Sequence, residues 1–302
     1  MYDIIVVGAG PAGLTAALYA RRAEKSVLVL EKSTFGGQMT YSPKIENYPS
    51  VTSISGNELA DKMVEQVLAQ GAEIDMDTVT AVEKTEKGFL VTGENATYEA
   101  KCVILALGAK HRMLGLEGEA EMVGNGISFC AVCDGAFYKG QTVAVIGGGN
   151  SALQEAILLS EGCKKVYIVQ NLPEFTGETK LVNILSQKQN VEFIMGTVVK
   201  ELVGGDSLSA IVLKNDAGEE RELALDGMFI AIGLAPCNTP FEALAPLNTY
   251  GYFDTDETCK TVTEGLFVAG DCRSKTVRQI STAIADGSSA AIAACRFLEE
   301  NA

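Results

Sequence analysis

Two cysteines two residues apart, followed at once by an aspartate, are the residues of this 302-residue chain best suited to chemistry. They are Cys130, Cys133 and Asp134 in the stretch FCAVCDGAF. Two thiols at this spacing can close a small disulfide, and the thiolate is the reactive form of each. An adjacent carboxylate raises a thiol pKa but can accept or return a proton locally. The pair could therefore hold a metal, form a structural disulfide or work as a redox couple.

Composition disfavours the first two uses of this pair. A structural zinc site takes four ligands, whereas the chain has one CxxC motif and a single histidine, His111. The sequence opens without a basic leader, which predicts a cytoplasmic protein with mostly reduced cysteines. The remaining six of the eight cysteines stand singly in apolar or helical contexts and are expected to be small core residues. These six are Cys102, Cys163, Cys237, Cys259, Cys272 and Cys295.

Charge and length limit the classes of partner and fold. A formal net charge of −15 argues against binding to nucleic acid or to anionic membrane surfaces. A hydrophobic content of 47% is ample for a sizeable core, and 302 residues fit two domains better than one. The sequence contains no apolar run of the roughly 18 residues that a transmembrane helix needs.

The first element that could position a cofactor is a strand, glycine turn, helix and second strand at residues 2–32. Gly8, Gly10 and Gly13 form a GxGxxG motif behind a β-branched run. The first glycine permits a tight turn, the second lets the backbone approach a pyrophosphate, and the third lets the helix pack closely. Glu31 ends the next strand, where a carboxylate can bind a ribose hydroxyl. The whole unit predicts dinucleotide binding.

The same unit occurs a second time, in the stretch QTVAVIGGGNSALQEAILLSEGCKKVYIVQ. Gly147 and Gly149 repeat the first two glycines, and Ala152 replaces the third. Gln170 stands where the first unit has its acid. The repeat predicts a second doubly wound domain that keeps the glycine turn but lacks the ribose-binding carboxylate.

Buried strands that end in glycine turns mark where the chain passes between these domains. CVILALGAKHR predicts the crossing out of the first domain, and GMFIAIGLAPCNT the crossing back. The predicted fold class is therefore α/β, with two Rossmann-like, doubly wound nucleotide-binding domains, the second inserted into the first. The discontinuous first domain is expected to comprise residues 1–111 and 236–302, and the insert residues 112–235.

A further buried strand, GLFVAGDC, completes the predicted first domain near the end of the chain. It ends in Asp271, just before a helix predicted from about Ser281 to Glu300. Because ligands of doubly wound sheets bind beyond the carboxyl ends of the strands, Asp271 is expected to lie in the ligand crevice.

Six motifs follow one another over the whole chain in an order typical of one family. They are GxGxxG, FGGQ at 35–38, ENYPS at 46–50, CAVCDG, GGGNSA and AGDCRSKTVRQ. Together they resemble the low-molecular-weight thioredoxin reductase family. The resemblance implies FAD in the split domain, a redox-active cysteine pair in the insert and a homodimer. In such families reduced flavin reduces the disulfide, the domains rotate, and the exposed dithiol reduces thioredoxin.

The resemblance also implies a role for individual residues. Cys130 would attack the thioredoxin disulfide, Cys133 would lie against the flavin, and Asp134 would handle the proton. The N-terminus of the helix near Ser281 could face the flavin edge that becomes negative on reduction. The residues implied in FAD binding are Gly8, Gly10, Pro11, Ala12, Gly13, Glu31, Gly37, Gln38, Asn47, Gly108, Asp271, Arg278, Gln279 and Ile280.

The sequence departs from this family where NADPH would bind. NADPH-using members carry a His-Arg-Arg stretch and a further Arg after the second glycine unit, and these cations hold the 2′-phosphate. The corresponding residues here are Gln170, Asn171, Leu172 and Thr176. A charge-assisted hydrogen bond contributes about 1.5–3 kcal/mol, so losing two or three weakens phosphate binding by roughly two to six powers of ten. NADH is not favoured either, because the acid for its ribose is absent.

The sequence therefore predicts a thioredoxin reductase most similar to the branch in which reduced ferredoxin supplies electrons to the flavin. One alternative is an NADPH-dependent thioredoxin reductase with an atypical pocket. Others are an enzyme with another low-potential donor such as a deazaflavin, a flavin-dependent dithiol oxidase, and a redox-sensing interaction module.

Overall fold

The computed structural model describes residues 1–42 and 45–301, and these form two compact units. One unit comprises Met1–Lys110 together with the chain from Ala235 onward, and the other comprises His111–Leu234. Each unit contains its own sheet with a parallel core.

Helices and strands alternate in parts of the chain, whereas residues 73–111 and 191–236 consist of consecutive strands. The strands are β1 (Tyr2–Val7), β2 (Val27–Glu31), β3 (Glu73–Met76), β4 (Val79–Thr85), β5 (Gly88–Gly93), β6 (Thr97–Leu105), β7 (Ala109–His111), β8 (Ile127–Ser128), β9 (Thr142–Ile146), β10 (Lys165–Val169), β11 (Val191–Ile194), β12 (Thr197–Gly204), β13 (Leu208–Asn215), β14 (Glu220–Ala224), β15 (Gly227–Ile230), β16 (Leu234–Pro236) and β17 (Leu266–Val268). The α-helices are α1 (Pro11–Arg22), α2 (Gly56–Ala69), α3 (Glu119–Met122), α4 (Ala131–Asp134), α5 (Asn150–Ser160), α6 (Thr179–Ser186) and α7 (Ile280–Glu300). Short 3₁₀ helices span Gly37–Tyr41, Gly135–Tyr138, Thr239–Phe241 and Gly270–Cys272.

A seven-stranded sheet forms the centre of the first unit, in the order β3-β2-β1-β6-β5-β4 with β17 also on β6. Strand β1 is parallel to β2 and β6, and its residues from Ile4 to Val7 are buried, as the unbroken apolar run predicts. The first half of β6 pairs with antiparallel β5, and its second half pairs with parallel β17. The carboxyl ends of β1, β6 and β17 therefore meet at one edge of the sheet.

Helices α1 and α7 pack together on this sheet at very short range. A Cβ atom added at Gly287 of α7 would lie 2.2 Å from the backbone oxygen of Ala12 in α1. Alanines such as Ala290, Ala291 and Ala294 supply the buried face of α7. Small residues let the two helix backbones approach, and this contact seats the first turn of both helices beside the carboxyl ends of the strands.

The second unit repeats the nucleotide-binding pattern around a parallel sheet of order β11-β10-β9-β15-β8. An antiparallel sheet of β12, β13 and β14 accompanies it. The first glycine of each turn has a positive φ, +106° at Gly8 and +132° at Gly147. In both units a Cβ at this glycine would come within 2.5 Å of a backbone oxygen, that of Ala106 or of Ala231. The predicted α/β class and the doubly wound repeat are confirmed.

The core prediction for the single cysteines is correct for five of the six and wrong for Cys237, which is exposed. The adjacent residue, Asn238, is fully buried instead, and its amide donates hydrogen bonds to the backbone oxygens of Gly251 and Cys272. The chain turns this amide inward to satisfy two carbonyl groups, so its neighbour faces solvent.

No helix within residues 1–42 and 45–301 is both long enough and apolar enough to cross a membrane. The longest, α7, has 21 residues and carries charged side chains at its C-terminal end.

Candidate active site

The cysteine pair lies at the start of a short helix in the second unit. Strand β8 leads into Cys130, which is the N-cap of α4, and Cys133 lies within that helix. The two residues are joined by a disulfide with a Cα–Cα distance of 5.3 Å, within the usual range for disulfides. Between them, Val132 exposes 62% of its surface. An exposed apolar side chain therefore lies between the two cysteines.

Backbone groups of α4 distinguish the two sulfurs. The Cys133 N–H donates to Cys130 Sγ at 3.2 Å, as an N-cap side chain normally accepts. A hydrogen bond from a fixed N–H stabilises a thiolate more than a thiol. After reduction, this contact therefore favours negative charge on Cys130.

Asp134 is connected to the pair through one hydroxyl group. Ser128 Oγ donates to Asp134 Oδ2 at 2.6 Å and accepts from the Cys130 N–H at 3.1 Å. The other oxygen, Oδ1, is buried without a hydrogen-bond partner in the described part of the chain. Burial raises the pKa of Asp134, although the hydrogen bond from Ser128 acts in the opposite direction. The carboxyl group can therefore hold a proton closer to neutral pH than a solvated aspartate.

The one histidine does not serve as a cation near this site. His111 stacks on Phe129, the residue before the first cysteine, with ring centroids 4.6 Å apart. Burial lowers the pKa of His111 to about 4. The ring is therefore neutral at physiological pH and contributes an apolar contact to the segment that carries the disulfide.

In the first unit, the backbone orients the carboxylate of Glu31 beside the glycine turn. Its Oε2 atom accepts from the Ala9 N–H at 2.8 Å, and its Oε1 atom accepts from the N–H groups of Lys32 and Ser33, both at 2.9 Å. The side chain is only 7% exposed. Such a fixed carboxylate next to a glycine turn has the geometry to bind a ribose hydroxyl.

Gly10 leaves open space at the N-terminus of α1. Its φ of −75° and ψ of −178° suit any residue, yet a Cβ at this position would meet no atom within 4 Å. Gly13, three residues on, has no such space, because a Cβ there would lie 1.8 Å from Gly8 O. The free N–H groups of the first helical turn border the open space at Gly10, as a pyrophosphate requires.

Asp271 provides an unused acceptor at the same edge of the sheet. It lies in the 3₁₀ turn after β17, and its Oδ1 atom is buried with no hydrogen-bond partner in the described residues. Burial raises the pKa of Asp271 above its ordinary value, although the charges of Lys275 and Arg278 act in the opposite direction. A buried acceptor without a donor is costly, and the hydroxyl groups of a ribityl chain would satisfy it.

Three of the remaining predicted FAD residues, Gln38, Asn47 and Gln279, make hydrogen bonds to one another or to the backbone. Gln38 donates to the backbone oxygen of Ala109, and Asn47 Nδ2 donates to Gln279 Oε1 at 3.2 Å. Gln279 caps α7, which begins at Ile280. The other members lie in the first turn of α1 (Pro11, Ala12), in the 3₁₀ helix from Gly37, in the loop after β6 (Gly108) and in the loop before α7 (Arg278).

The second glycine turn is partly covered by residues of its own unit. Gln170, at the end of β10, is 4% exposed, and its Nε2 atom would lie 2.4 Å from a Cβ placed on Gly148. The N–H groups of Thr176 and Gly177 both donate to Gly148 O at 3.0 Å. Leu172 is 44% exposed, and residues 170–179 contain no lysine or arginine. The loop therefore offers no positive charge to a phosphate at this turn.

Comparison with known proteins agrees with this geometry. The family model described as pyridine nucleotide-disulphide oxidoreductase matches residues 2–287. The thioredoxin reductase of Bacillus subtilis (strain 168) is 40% identical over 302 residues, which is 99% of this chain and 96% of the relative. The crystal structure of thioredoxin reductase from Streptococcus pyogenes MGAS5005 has a TM-score of 0.94 at 40% identity and 99% coverage of both chains.

The chain belongs to the low-molecular-weight thioredoxin reductase family. It is a flavoenzyme with FAD as its cofactor, and the expectation of FAD is confirmed. The open space at Gly10 and the unpartnered Asp271 oxygen fit that cofactor.

One half-buried acid of the second unit, which has a buried carboxylate oxygen, was missed in the sequence. Glu155 lies on α5 between buried Ala152 and Leu159, and its Oε2 atom has no hydrogen-bond partner among the described residues. Burial raises its pKa from 4.5 to about 8. The available signal was an acid on the apolar face of a helix, three residues after Ala152. A buried carboxyl without a partner is a candidate functional group.

Replacing Gly10 with valine should yield folded protein without FAD. The side chain would enter the open space where we place the pyrophosphate, while the φ and ψ at this position tolerate any residue. Flavin absorbance per chain after purification measures loading, and circular dichroism measures folding. The matched control is Gly162→Val in the second unit. A Cβ at Gly162 would also meet no atom within 4 Å, but this glycine is far in sequence from the first glycine turn. A Gly10→Val protein that retains a full complement of FAD contradicts this placement.

Replacing Glu155 with glutamine should stabilise the protein at pH 8. Because the folded pKa is raised to about 8, the folded state keeps a proton that the unfolded state loses above pH 4.5, so stability falls as pH rises between these values. The variant avoids this loss, which is on the order of 4 kcal/mol at about 1.36 kcal/mol per pKa unit. Denaturant unfolding at pH 4 and pH 8 measures it, with exposed Glu201→Gln as the control. An equal effect at both pH values would contradict a raised pKa at Glu155.

Proposed function

We propose that this chain reduces thioredoxin through the Cys130–Cys133 pair and bound FAD, and that reduced ferredoxin rather than NADPH supplies the electrons. The first part is supported by relatives that are named thioredoxin reductase over 99% of this chain. The disulfide beside the exposed Val132 supports it as well. The second part depends on the covered glycine turn of the second unit.

The exchange with thioredoxin uses the asymmetry of the cysteine pair. The Cys130 thiolate, favoured by the Cys133 N–H, attacks one sulfur of the thioredoxin disulfide, which breaks that bond and forms a mixed disulfide. Cys133 then attacks Cys130 Sγ, which releases the second thioredoxin sulfur and closes the Cys130–Cys133 disulfide. The two protons that leave the enzyme's thiols end on the two thioredoxin sulfurs, so the reaction is balanced.

Return to the dithiol requires two electrons and two protons. Bound FAD supplies the electrons when it has been reduced. Asp134 can supply one proton, because burial raises its pKa and Ser128 links it to the backbone of Cys130. Glu31, Gly10 and Asp271 bind and orient the cofactor in this proposal, and they take no part in the thiol exchange.

The observation that supports a donor other than NADPH is the position of Gln170. Its buried amide lies against Gly148, and its Nε2 atom donates to Glu174 O at 3.3 Å, within the loop where other members carry cations. With Leu172 exposed and two glutamates in the loop, a 2′-phosphate meets no compensating charge. Plant-type ferredoxins reach about −400 mV, below the value of about −270 mV for thioredoxin, so electron flow from ferredoxin is downhill.

One observation favours the second candidate, an NADPH-dependent enzyme with an atypical pocket. Gly149 has φ −85° and ψ 178°, and a Cβ there would meet only Thr176 Oγ1, at 3.8 Å. The start of α5 therefore keeps some of the open space that a pyrophosphate needs. The family description of the matching model also names pyridine nucleotides.

The two candidates are separated by anaerobic reduction of the oxidised flavoprotein. We expect reduced ferredoxin to bleach the visible flavin band in stopped-flow absorbance, and millimolar NADPH or NADH to leave it unchanged on a catalytic timescale. Rapid bleaching by NADPH would contradict the proposed donor. The control variant Gly149→Val closes the remaining space at α5, so any NADPH reaction through this crevice should disappear in it.

The cysteine roles are tested by trapping thioredoxin on single variants. Cys133→Ser should abolish turnover but still form a mixed disulfide with thioredoxin through Cys130, visible on a non-reducing gel. Cys130→Ser should abolish turnover without trapping the partner. Cys237→Ser is the control, because this exposed cysteine should leave turnover unchanged. Trapping through Cys133 alone would reverse the assignment.

A further inference from the structure

A buried carboxylate on α7 gathers two cations next to the proposed FAD site. Asp286, 5% exposed, accepts from Arg273 Nε and Nη2, both at 2.8 Å, and from Lys275 Nζ at 2.8 Å. The side chains of Arg273 and Lys275 are 3% and 8% exposed. Three charged groups thus lie together inside the first unit, and their formal charges leave one positive charge in excess.

The same carboxylate fixes the backbone that precedes Asp271. The Gly270 N–H donates to Asp286 Oδ2 at 3.0 Å. Oδ2 therefore accepts from the turn before Asp271 and from Arg273 and Lys275 in the loop after it. One side chain holds both flanks of the residue that carries the unpartnered buried oxygen.

Arg278 stabilises the rest of this loop by hydrogen bonds to its backbone oxygens. Its guanidinium donates to the carbonyl groups of Asp271, Arg273 and Lys275 at 3.0–3.4 Å, and it lies 4.2 Å above the ring of Tyr252. All three nitrogens are thereby engaged with the loop itself. The loop from residue 270 to 278 is consequently fixed by its own charged side chains and by Asp286.

Packing connects this cluster to the first glycine turn. A Cβ on Gly270 would lie 2.9 Å from Ala12 Cβ, and a Cβ on Gly287, next to Asp286, would lie 2.2 Å from Ala12 O. Both sides of the cluster therefore rest on the first turn of α1. A shift of Asp286 would move Asp271 relative to the open space at Gly10.

A contribution to stability alone does not explain why this cluster is buried. Desolvation of buried ions usually offsets their mutual attraction, so a buried ion cluster is weak evidence for stabilisation. Removing one partner, by contrast, leaves an uncompensated buried charge and strongly destabilises the structure around it. The excess positive charge lies within the loop that carries Asp271, next to the proposed FAD site, where it can act on a cofactor that gains negative charge on reduction.

We propose that Asp286 is a positioning residue for FAD that holds Asp271 against the first turn of α1 and sets the flavin's redox potential by partly neutralising Arg273 and Lys275. The inference depends on the proposed placement of FAD at Asp271 and is independent of the electron donor. Asp286 itself need not touch the cofactor, because it acts through the turn at Gly270 and through the field of the two cations.

The charge effect predicts opposite shifts for two substitutions. Asp286→Asn retains the size of the side chain but leaves Arg273 and Lys275 uncompensated, which favours the negatively charged reduced flavin and moves the potential upward. Lys275→Met removes the excess cation while the Arg273–Asp286 pair remains, which moves the potential downward. A merely structural role would loosen FAD in both variants without opposite shifts.

The experiment uses purified holoenzyme and needs neither thioredoxin nor ferredoxin. The flavin potential is measured by anaerobic equilibration with a reference dye, and FAD release by the recovery of free-flavin fluorescence. We expect Asp286→Asn to change the dye equilibrium at least tenfold towards reduced flavin, about 30 mV for a two-electron couple, and to release FAD at least tenfold faster. Lys275→Met should shift the equilibrium in the opposite direction.

Glu257→Gln is the matched control. Glu257 also approaches Arg273, at 3.6 Å, but its side chain is 96% exposed, so solvent screens its charge. It should leave both the potential and FAD release unchanged. Wild-type potential and release rate in Asp286→Asn would overturn the proposal. If that variant does not fold, an unshifted or upward-shifted potential in Lys275→Met would overturn it. Wild-type protein that binds no FAD would instead refute the flavin assignment itself.

Discussion

The approach of α1 to β1 through the first glycine turn is the constraint on which the first unit depends. A Cβ at Gly13 would lie 1.8 Å from Gly8 O, so any larger residue would push the helix away from the strand. The same approach places Ala12 under both α7 and the turn at Gly270. Glu31, Gly10 and Asp271 come from distant parts of the sequence, and they converge because this one backbone contact fixes α1 at the edge of the sheet.

The second unit keeps this constraint although its surroundings have changed. Gly147 has a positive φ and lies against Ala231 O, as Gly8 lies against Ala106 O, so the turn is needed for packing whether or not a ligand is present. The space beside it is lined differently, by the amide of Gln170. A glycine turn of this kind therefore specifies the fold, while the residues at the end of the next strand specify the ligand.

Sequence could predict what depends on local backbone geometry. The glycine turns, the buried strands and the start of α7 near residue 280 follow from residue type and spacing, and the structure has them. The grouping of Asp286 with Arg273 and Lys275 was not predictable, because it depends on how the loop folds back onto α7. The prediction that Cys237 is a core residue was wrong for a related reason. Only the tertiary contacts of Asn238 determine which of the two neighbours faces inward.

The long strand β6 has a consequence for how the chain is made. Its second half pairs with β17, which leaves the ribosome only after the whole of the second unit has been synthesised. The second unit is continuous in sequence, and domains generally fold as units during synthesis, N-terminal parts first. Here the order is reversed, because the inserted unit can fold while the sheet that begins at the N-terminus still lacks β17 and α7. The edge of β6 that pairs with β17 is therefore unpaired in the nascent chain until the last segment emerges, and an unpaired strand edge is a template for pairing with another chain.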